Sequence, residues 1–140
     1  MATAMMARLA AWLETNGTAL GLREVRSDGR DPAALPAASL RLLGSGGHGP
    51  LSEQELELKL SLAGARPAEL TAALSELTAL ARAQLSRFCL EQTELRSLRW
   101  LETAYPRPTE LPGGPVLASS VSRLGLTMLS GSTAAGEVNA

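Results

Sequence analysis

A run of alternating leucines, EQELELKLSLAG, constrains the fold of this chain more than any other stretch. Leucine occupies every second position, at Leu56, Leu58, Leu60 and Leu62, with polar side chains between them. On a helix, at about 100° per residue, these leucines would point to opposite sides and leave no polar face. On a strand they share one face, and burying each contributes roughly 1.5–3 kcal/mol, whereas helix propensities differ by only tenths of a kcal/mol. Residues 53–64 are therefore predicted to form a half-buried strand.

The stretch ASLRLL, residues 38–43, also alternates apolar with polar side chains. This period of two is typical of a strand with one buried face. We expect it to pair with the leucine-rich strand as a long hairpin. The intervening GSGGHGP, residues 44–50, is expected to be a flexible connector. The outward face of the leucine-rich strand should then carry solvated polar side chains, namely Glu55, Glu57, Lys59 and Ser61.

Two amphipathic helices are predicted. The first runs from about Thr3, which can cap it, to about Thr15, and Gly17 is expected to stop it. The second runs from about Pro67, a residue favoured in the first turn, to about Phe88. Its apolar side chains form one stripe that should pack on the leucine face of the hairpin, comprising Leu70, Leu74, Leu77, Ala81, Leu85 and Phe88.

The remaining segments have weaker signals. A short strand is predicted near residues 20–25, followed by a loop at SDGRDP, residues 27–32. The stretch LRSLRWL, residues 95–101, fits either a strand or a short helix. Four prolines in residues 105–115 predict an irregular loop or extended arm. Alternation in the last part of residues 116–129 predicts a final strand, and residues 130–140 are expected to form a disordered tail.

This order of elements predicts an α+β fold, with a mixed or antiparallel sheet of about four strands and two helices packed on one of its faces. The 140 residues, 45% hydrophobic and 19% charged, suit a single soluble domain over residues 1–129 rather than a disordered chain.

Composition argues against several classes of partner. The net charge is -1, with 13 basic and 14 acidic residues, so no nucleic-acid sequence recognition is expected. No stretch approaches the ~20 apolar residues that cross a bilayer, and the N-terminus is a poor signal peptide, so no membrane association or export is expected. The single cysteine, Cys89, excludes an internal disulfide framework and fits a reducing cytoplasm.

No catalytic residue, cofactor site or metal site is predicted. A phosphate-binding loop needs a strand before it and a helix after it, whereas GSGGHG is followed by a strand and contains no lysine. His48, the only histidine, has no second ligand or nucleophile at a recognisable spacing and is interpreted as a surface residue. Cys89 is interpreted as a small buried hydrophobe because no positive helix pole is near it. The chain is therefore not expected to be an enzyme.

The element order, together with four stretches, resembles the tail terminator family of long-tailed bacteriophages and related tail-like particles, whose members are also called tail completion or minor tail protein U-like proteins. Over residues 3–129, these stretches are the PAASL entry to one strand, the acidic alternating strand LSEQELELKLSLAG, the helix PAELTAALSELTALARAQL and a C-terminal alternating strand.

This resemblance implies a homohexameric ring that caps the tail tube, halts its polymerisation and joins the tail to the head or neck. The implied partners are further copies of the chain, the tail tube protein and neck or head-completion proteins, and the implied location is the virion tail, assembled in the host cytoplasm. Because a cyclic ring uses two different patches per subunit, strand edges and loops are expected at the contacts. Candidate interface residues are Gly46, Gly47, His48, Glu55, Glu57, Lys59, Tyr105 and Arg107.

Two other classes of function remain open at this stage. One is a small cytoplasmic adaptor or chaperone-like α+β binding domain that uses the sheet as its recognition surface. The other is an enzyme that uses the backbone amides of the glycine-rich loop.

Overall fold

A computed structural model describes residues 4–129 of the chain. In this part of the chain, two helices and six strands form an α+β fold with one mixed sheet, whose strands follow the order β1-β2-β3-β6-β4 while β5 pairs beside β6. The elements are α1 (Ala4–Leu20), β1 (Glu24–Arg26), β2 (Ala37–His48), β3 (Leu51–Gly64), α2 (Pro67–Glu91), β4 (Leu95–Ala104), β5 (Thr109–Glu110) and β6 (Val116–Leu129).

The fold class is the expected one, with six strands instead of about four. The two additional strands are β4, whose sequence left strand and helix open, and β5, which is two residues long. Within the described residues, β1 runs parallel to β2, and every other pairing is antiparallel.

The leucine-rich stretch is a strand, as predicted, and it pairs with β2 as an antiparallel hairpin. Leu56, Leu58 and Leu60 are at most 1% exposed, and Leu62 is half-buried against the same core. Leu40 lies directly opposite Leu58. Counting faces therefore gave the right secondary structure, even though glutamate, leucine and lysine favour helices.

The prediction of a flexible connector at residues 44–50 was wrong. Strand β2 continues through the glycines to His48, and Gly49 and Pro50 alone form the turn. Gly49 has a φ of 60°, in the left-handed region that glycine tolerates. Glycine is a weak strand former, but here the ladder to β3 satisfies the backbone, with Gly46 opposite Glu53 and Gly47 opposite Ser52.

Helix α1 continues past Gly17, where it was predicted to stop, and ends at Leu20. The reversal occurs at Gly21, whose φ is 76°. The Leu22 N–H donates to the Gly17 carbonyl at 2.8 Å and the Gly21 N–H donates to that of Thr18 at 3.2 Å, which is a Schellman motif. Gly17 instead allows close approach, because a Cβ there would lie 3.4 Å from the Leu22 Cβ. The predicted Thr3 cap lies outside the described residues.

Helix α2 buries the whole predicted stripe and ends three residues later than expected, at Glu91. Both helices pack on the leucine face of the sheet and meet at an edge-to-face contact between Trp12 and Phe88, with ring centroids 5.7 Å apart. Cys89 is half-buried beside this core, so it is less enclosed than predicted.

The weak strand near residues 20–25 forms only as β1, because Leu20 belongs to α1 and Leu22 to its terminating turn. Residues 27–32 are a loop, as predicted. The proline-rich segment is irregular except for β5, which pairs with the first residues of β6. The predicted tail, residues 130–140, lies outside the described residues.

Candidate functional site

The face of the sheet opposite the two helices carries no packed element of the described chain; we call it the open face. Glu55, Glu57 and Lys59 lie on it, as predicted, and all three are half-buried. Ser61 was expected to be solvated, but it is only 5% exposed, and its Oγ lies 3.2 Å from that of Ser119 on the neighbouring strand. The two hydroxyl groups therefore contact each other between β3 and β6, towards the end of the open face that is far from the hairpin tip.

Four charged residues cross the open face in one row with alternating sign. The strand register places Arg41 of β2, Glu57 of β3, Arg123 of β6 and Glu102 of β4 side by side. The Arg41 Nη2 lies 3.0 Å from Glu57 Oε1, and the Arg123 Nε lies 3.0 Å from Glu102 Oε1. This charge row begins with a cation on β2, beyond the part that β1 covers, and ends with an anion on the outer strand β4.

Glu55 belongs to the next row towards the hairpin tip, where it also contacts Arg123, with Glu55 Oε1 3.2 Å from Arg123 Nη1. The Arg123 side chain is 43% exposed and that of Glu55 is 37% exposed. Exposed pairs of this kind contribute about 0–1 kcal/mol, so they set local side-chain order more than stability.

Three glycines floor a hollow of about 350 Å³ on the open face, next to the charge row. A Cβ at Gly125 would lie 2.9 Å from the Arg99 Nη2, so the guanidinium of Arg99 lies directly over that glycine. Glu53 and Glu55 add two carboxylates to the walls. We call this cavity the glycine hollow; its lining comprises Gly44, Ser45, Gly46, Glu53, Gln54, Glu55, Arg99, Leu101 and Gly125.

Both sides of the sheet leave long strand edges unpaired within residues 4–129. Strand β1 covers β2 only from Ala37 to Ser39, so the edge from Leu40 to His48 has no strand beside it. Strand β4 is the other outer strand of the sheet. Residues 43–47 are all exposed, and Leu43 and Leu51 are 39% and 37% exposed, so the end of the hairpin is uncovered on both faces.

The predicted interface residues fall in two places. Gly46 and Glu55 line the glycine hollow, Glu57 lies in the adjoining charge row, and Lys59 lies in the row beyond it. Gly47 and His48 form the tip, where the backbone of His48 pairs with Leu51.

Tyr105 and Arg107 do not join this group. Strand β4 runs away from the hairpin tip, so these two residues follow its far end, where both are exposed. The structure therefore places six of the candidates on the hairpin of β2 and β3 and two beyond the end of β4.

Sequence reasoning missed Arg99 and Glu102, and it recognised Arg41 and Arg123 only as polar positions of strands. The signal for Arg99 and Glu102 would have been the assignment of residues 95–101 to a strand. That assignment was left open because two bulges in β4, between Leu95 and Ser97 and between Trp100 and Glu102, interrupt the period of two.

The loop after β1 is held by a charged cluster. The Arg26 Nη2 donates to Asp28 Oδ2 at 2.5 Å, and its Nη1 donates to Glu24 Oε2 at 3.1 Å. The bond to Arg26 and the N–H of Arg30 lower the pKa of Asp28 to about 2. The N–H of Ala34, the Arg26 guanidinium and the N–H of Ala33 lower the pKa of Glu24. The cluster anchors the return from β1 to β2.

Residues 4–129 contain no group of three or more His, Cys, Asp or Glu side chains placed to hold a metal ion. Neither helix in that range combines the length and apolar character needed to cross a bilayer.

No protein-family model matches the chain. No curated protein matches it either.

Proposed function

We propose that this chain is a structural virion protein, similar to tail terminators, that forms a ring on the end of the tail tube, stops its polymerisation and joins the tail to the head or neck. The proposed partners are further copies of the chain, the tail tube protein and the neck or head-completion proteins. The ring would be homohexameric, as the family resemblance implies. Its place would be the virion tail.

The observation that carries this proposal is the pair of uncovered sheet edges on opposite sides of one subunit. A cyclic ring requires two different patches that dock on each other. Here one edge belongs to β2 and the other to β4, with the open face between them. The order of helix, hairpin, long helix and final strand, on which the resemblance rests, supports the same function.

The proposal is tested by mixing the purified protein with polymerising tail tube protein and imaging the tubes by electron microscopy. We expect rings in the protein alone, and tubes that stop growing with a ring at one end. Tube protein without the chain is the control and should continue to elongate. A chain that stays monomeric in light scattering, both alone and with tail tubes, would contradict the proposal.

The glycine hollow favours a second candidate, a small adaptor or chaperone-like binding domain. Its guanidinium and two carboxylates beside a glycine floor could receive a polar side chain of a partner. Under this function the protein would remain a monomer or dimer and would bind an extended peptide on the open face. Isothermal titration with peptides, compared between the wild-type chain and Arg99→Ala, would separate it from the ring.

A further inference from the structure

The two uncovered edges occupy the same rows of the sheet. On β2, the part of the edge that β1 leaves uncovered includes Arg41 to Gly46, which lie opposite the β3 residues from Glu57 to Glu53. On β4 the stretch from Ser97 to Glu102 lies opposite the β6 residues from Thr127 to Arg123, which face those same β3 residues. The left and right edges of one subunit therefore have matching length and height.

Each edge carries one extra residue in the same interval. On β2 the register shifts between Leu42 and Gly44, which makes Leu43 the extra residue. On β4 it shifts between Trp100 and Glu102, which makes Leu101 the extra residue. Both shifts fall between the row of Glu57 and the row of Glu55. The β2 shift lies between the rows of Leu56 and Glu55, and the β4 shift lies between the rows of Glu57 and Leu56, so the two bulges are one row apart. Because a bulge disrupts pairing with a regular strand, an edge with one extra residue pairs best with another edge that has one extra residue in the same interval.

A second copy placed beside the first would meet its edge residue for residue. With Glu102 opposite the neighbour's Arg41, antiparallel pairing puts Arg99 opposite Gly44 and Ser97 opposite Gly46, which are the rows these residues already occupy within one subunit. Because each strand has one extra residue between the rows of Glu57 and Glu55, the two edges have the same number of residues there. Six consecutive residues of each edge can therefore pair.

The strand directions agree with this arrangement. Strands β2, β3, β6 and β4 alternate in direction, so β4 of one copy would be antiparallel to β2 of the next. Along a row of antiparallel strands, hydrogen-bonded and non-hydrogen-bonded pairs alternate. Because the number of these strands in a subunit is even, the alternation continues in phase into the next copy.

Charge also favours the head-to-tail contact. The charge row ends with Glu102 on β4 and starts with Arg41 on β2, so joining the two edges continues the alternation of sign from one subunit to the next. Opposite charges directly across a strand pair are stabilising, and like charges are destabilising. In this register Leu101 lies opposite Leu42 and Leu43 lies opposite Trp100, so the two extra leucines, 39% and 43% exposed at Leu43 and Leu101, would be diagonal neighbours at the same contact.

We propose that subunits associate through this edge pair, with Arg41–Gly46 of β2 forming an antiparallel ladder with Ser97–Glu102 of β4 of the next copy. This contact, the sheet seam, is heterologous, so it generates a ring when the rotation between copies closes. The proposal rests on the proposed function, because it specifies how the subunits of that ring meet.

Charge reversal tests the seam through mixing. Arg41→Glu places two anions across the seam, and Glu102→Arg places two cations there. The protein concentration at which half of each variant alone is assembled should therefore rise, by roughly fivefold for each weakened contact. In an equal mixture the two variants alternate, every seam contact pairs opposite charges, and assembly should return. Arg87→Glu changes the net charge as Arg41→Glu does but lies on the exposed side of helix α2, away from both sheet edges, so it should assemble like the wild type. Two variants that assemble normally alone, or a mixture that does not recover, would overturn the seam.

Cross-linking tests the register. In a Cys89→Ser background, Gly46→Cys with Ser97→Cys places two thiols directly opposite across the seam, at a Cβ distance of about 4.5–5.5 Å. Gly44→Cys with Ser97→Cys is the matched control on the same face, about 7–8 Å apart on the diagonal. A Cβ at Gly44 or Gly46 meets no atom within 4 Å, so neither substitution is crowded.

Mild oxidation should convert the in-register variant into covalent oligomers and leave the control mostly monomeric on a denaturing gel. Rings in electron micrographs combined with equal or absent cross-linking would overturn the seam and leave the ring. Cross-linked rings that do not stop tube growth would overturn the proposed function and leave the seam. A chain that never oligomerises would overturn both.

Discussion

Two hydroxyl groups join the long helix to the sheet within a layer that is mostly apolar. The Thr78 Oγ1 lies 2.9 Å from the Ser120 Oγ and also 2.7 Å from the Leu74 carbonyl oxygen. Ser120 is fully buried and Thr78 is 7% exposed. A buried hydroxyl left without a partner destabilises a protein more than the bond itself contributes. The short side chains of Thr78 and Ser120 therefore set how closely α2 lies over β6.

Thr78→Val should lower the free energy of unfolding by roughly 1–3 kcal/mol, because it keeps the side-chain shape and leaves the Ser120 hydroxyl buried without this partner. Urea unfolding measures the change. The double variant Thr78→Val with Ser120→Ala should lose less than the sum of the single variants. Thr71→Val is the matched control, since Thr71 makes the same bond to the carbonyl four residues earlier but is exposed. An equal loss in both threonine variants would contradict this role.

The Arg26 cluster gives stability a defined pH dependence. Glu24 and Asp28 have lowered pKa values, so the native state holds their carboxylates ionised to lower pH than the unfolded chain does. Their contribution is present above the ordinary pKa and is lost as pH falls through the native one. For Asp28 that window runs from pH 3.8 down to about 2.

The urea midpoint should fall as pH decreases through this window, and Glu24→Gln with Asp28→Asn should flatten the fall. Urea titrations at a series of pH values measure both. Asp31→Asn is the control, because it removes an exposed carboxylate of the same loop that is not bonded to Arg26. An unchanged slope in the double variant would show that the cluster does not stabilise the fold.

At the scale of elements, predictions were confirmed where the spacing of apolar residues in the sequence was regular. The leucines of β3 and the stripe of α2 repeat without interruption, so both elements and the face they share could be read directly. Strand β4 could not, because Arg96 and Leu101 are bulge residues that break the alternation. The extension of β2 through Gly44 to His48 also had no local signal, since pairing with β3 holds that segment extended. The glycine hollow depends on these two segments, so sequence alone could place the β3 residues of the site, and Arg41 and Arg123 as polar strand positions, but not the hollow beside them.

The two neighbouring glycines of the hairpin have different roles. A Cβ at Gly47 would lie 2.9 Å from the Leu51 carbonyl oxygen, whereas at Gly46 it would meet no atom within 4 Å. Gly47→Ala should therefore reduce the free energy of opening the tip by roughly 1–3 kcal/mol. Gly46→Ala should be neutral or slightly stabilising, because alanine loses less backbone entropy than glycine. Native-state amide exchange at Ser52 measures the difference, and similar exchange in the two variants would refute it.

At the scale of the whole molecule, the local stability of the sheet should decrease from its central strands to its outer strands. Strands β3 and β6 each have a partner on both sides and carry the side chains beneath α2. Strands β1 and β5 are three and two residues long. Local opening free energies are lowest where few buried contacts and few ladder bonds exist. The outer strands should therefore open independently of the centre.

Hydrogen exchange followed by mass spectrometry should find the slowest amides at residues 56–60 and 120–126 and the fastest among the strands in β1 and β5. On assembly, protection should increase at residues 41–46 and 97–102, because their edge amides become paired. The peptide containing Glu24–Arg26 is the internal control and should not change. Added protection spread evenly over the sheet, or confined to residues 105–115, would place the contact elsewhere.

The bulges at Leu43 and Leu101 also affect the protein before it assembles. An uncovered strand edge is a template on which unrelated extended chains can add and aggregate. The bulge in each edge shifts the register of its backbone hydrogen-bonding groups after a few residues. A regular strand from an unrelated protein therefore cannot pair along the whole edge. We therefore expect the free subunit to resist pairing with unrelated chains while both edges stay available for the proposed sheet seam.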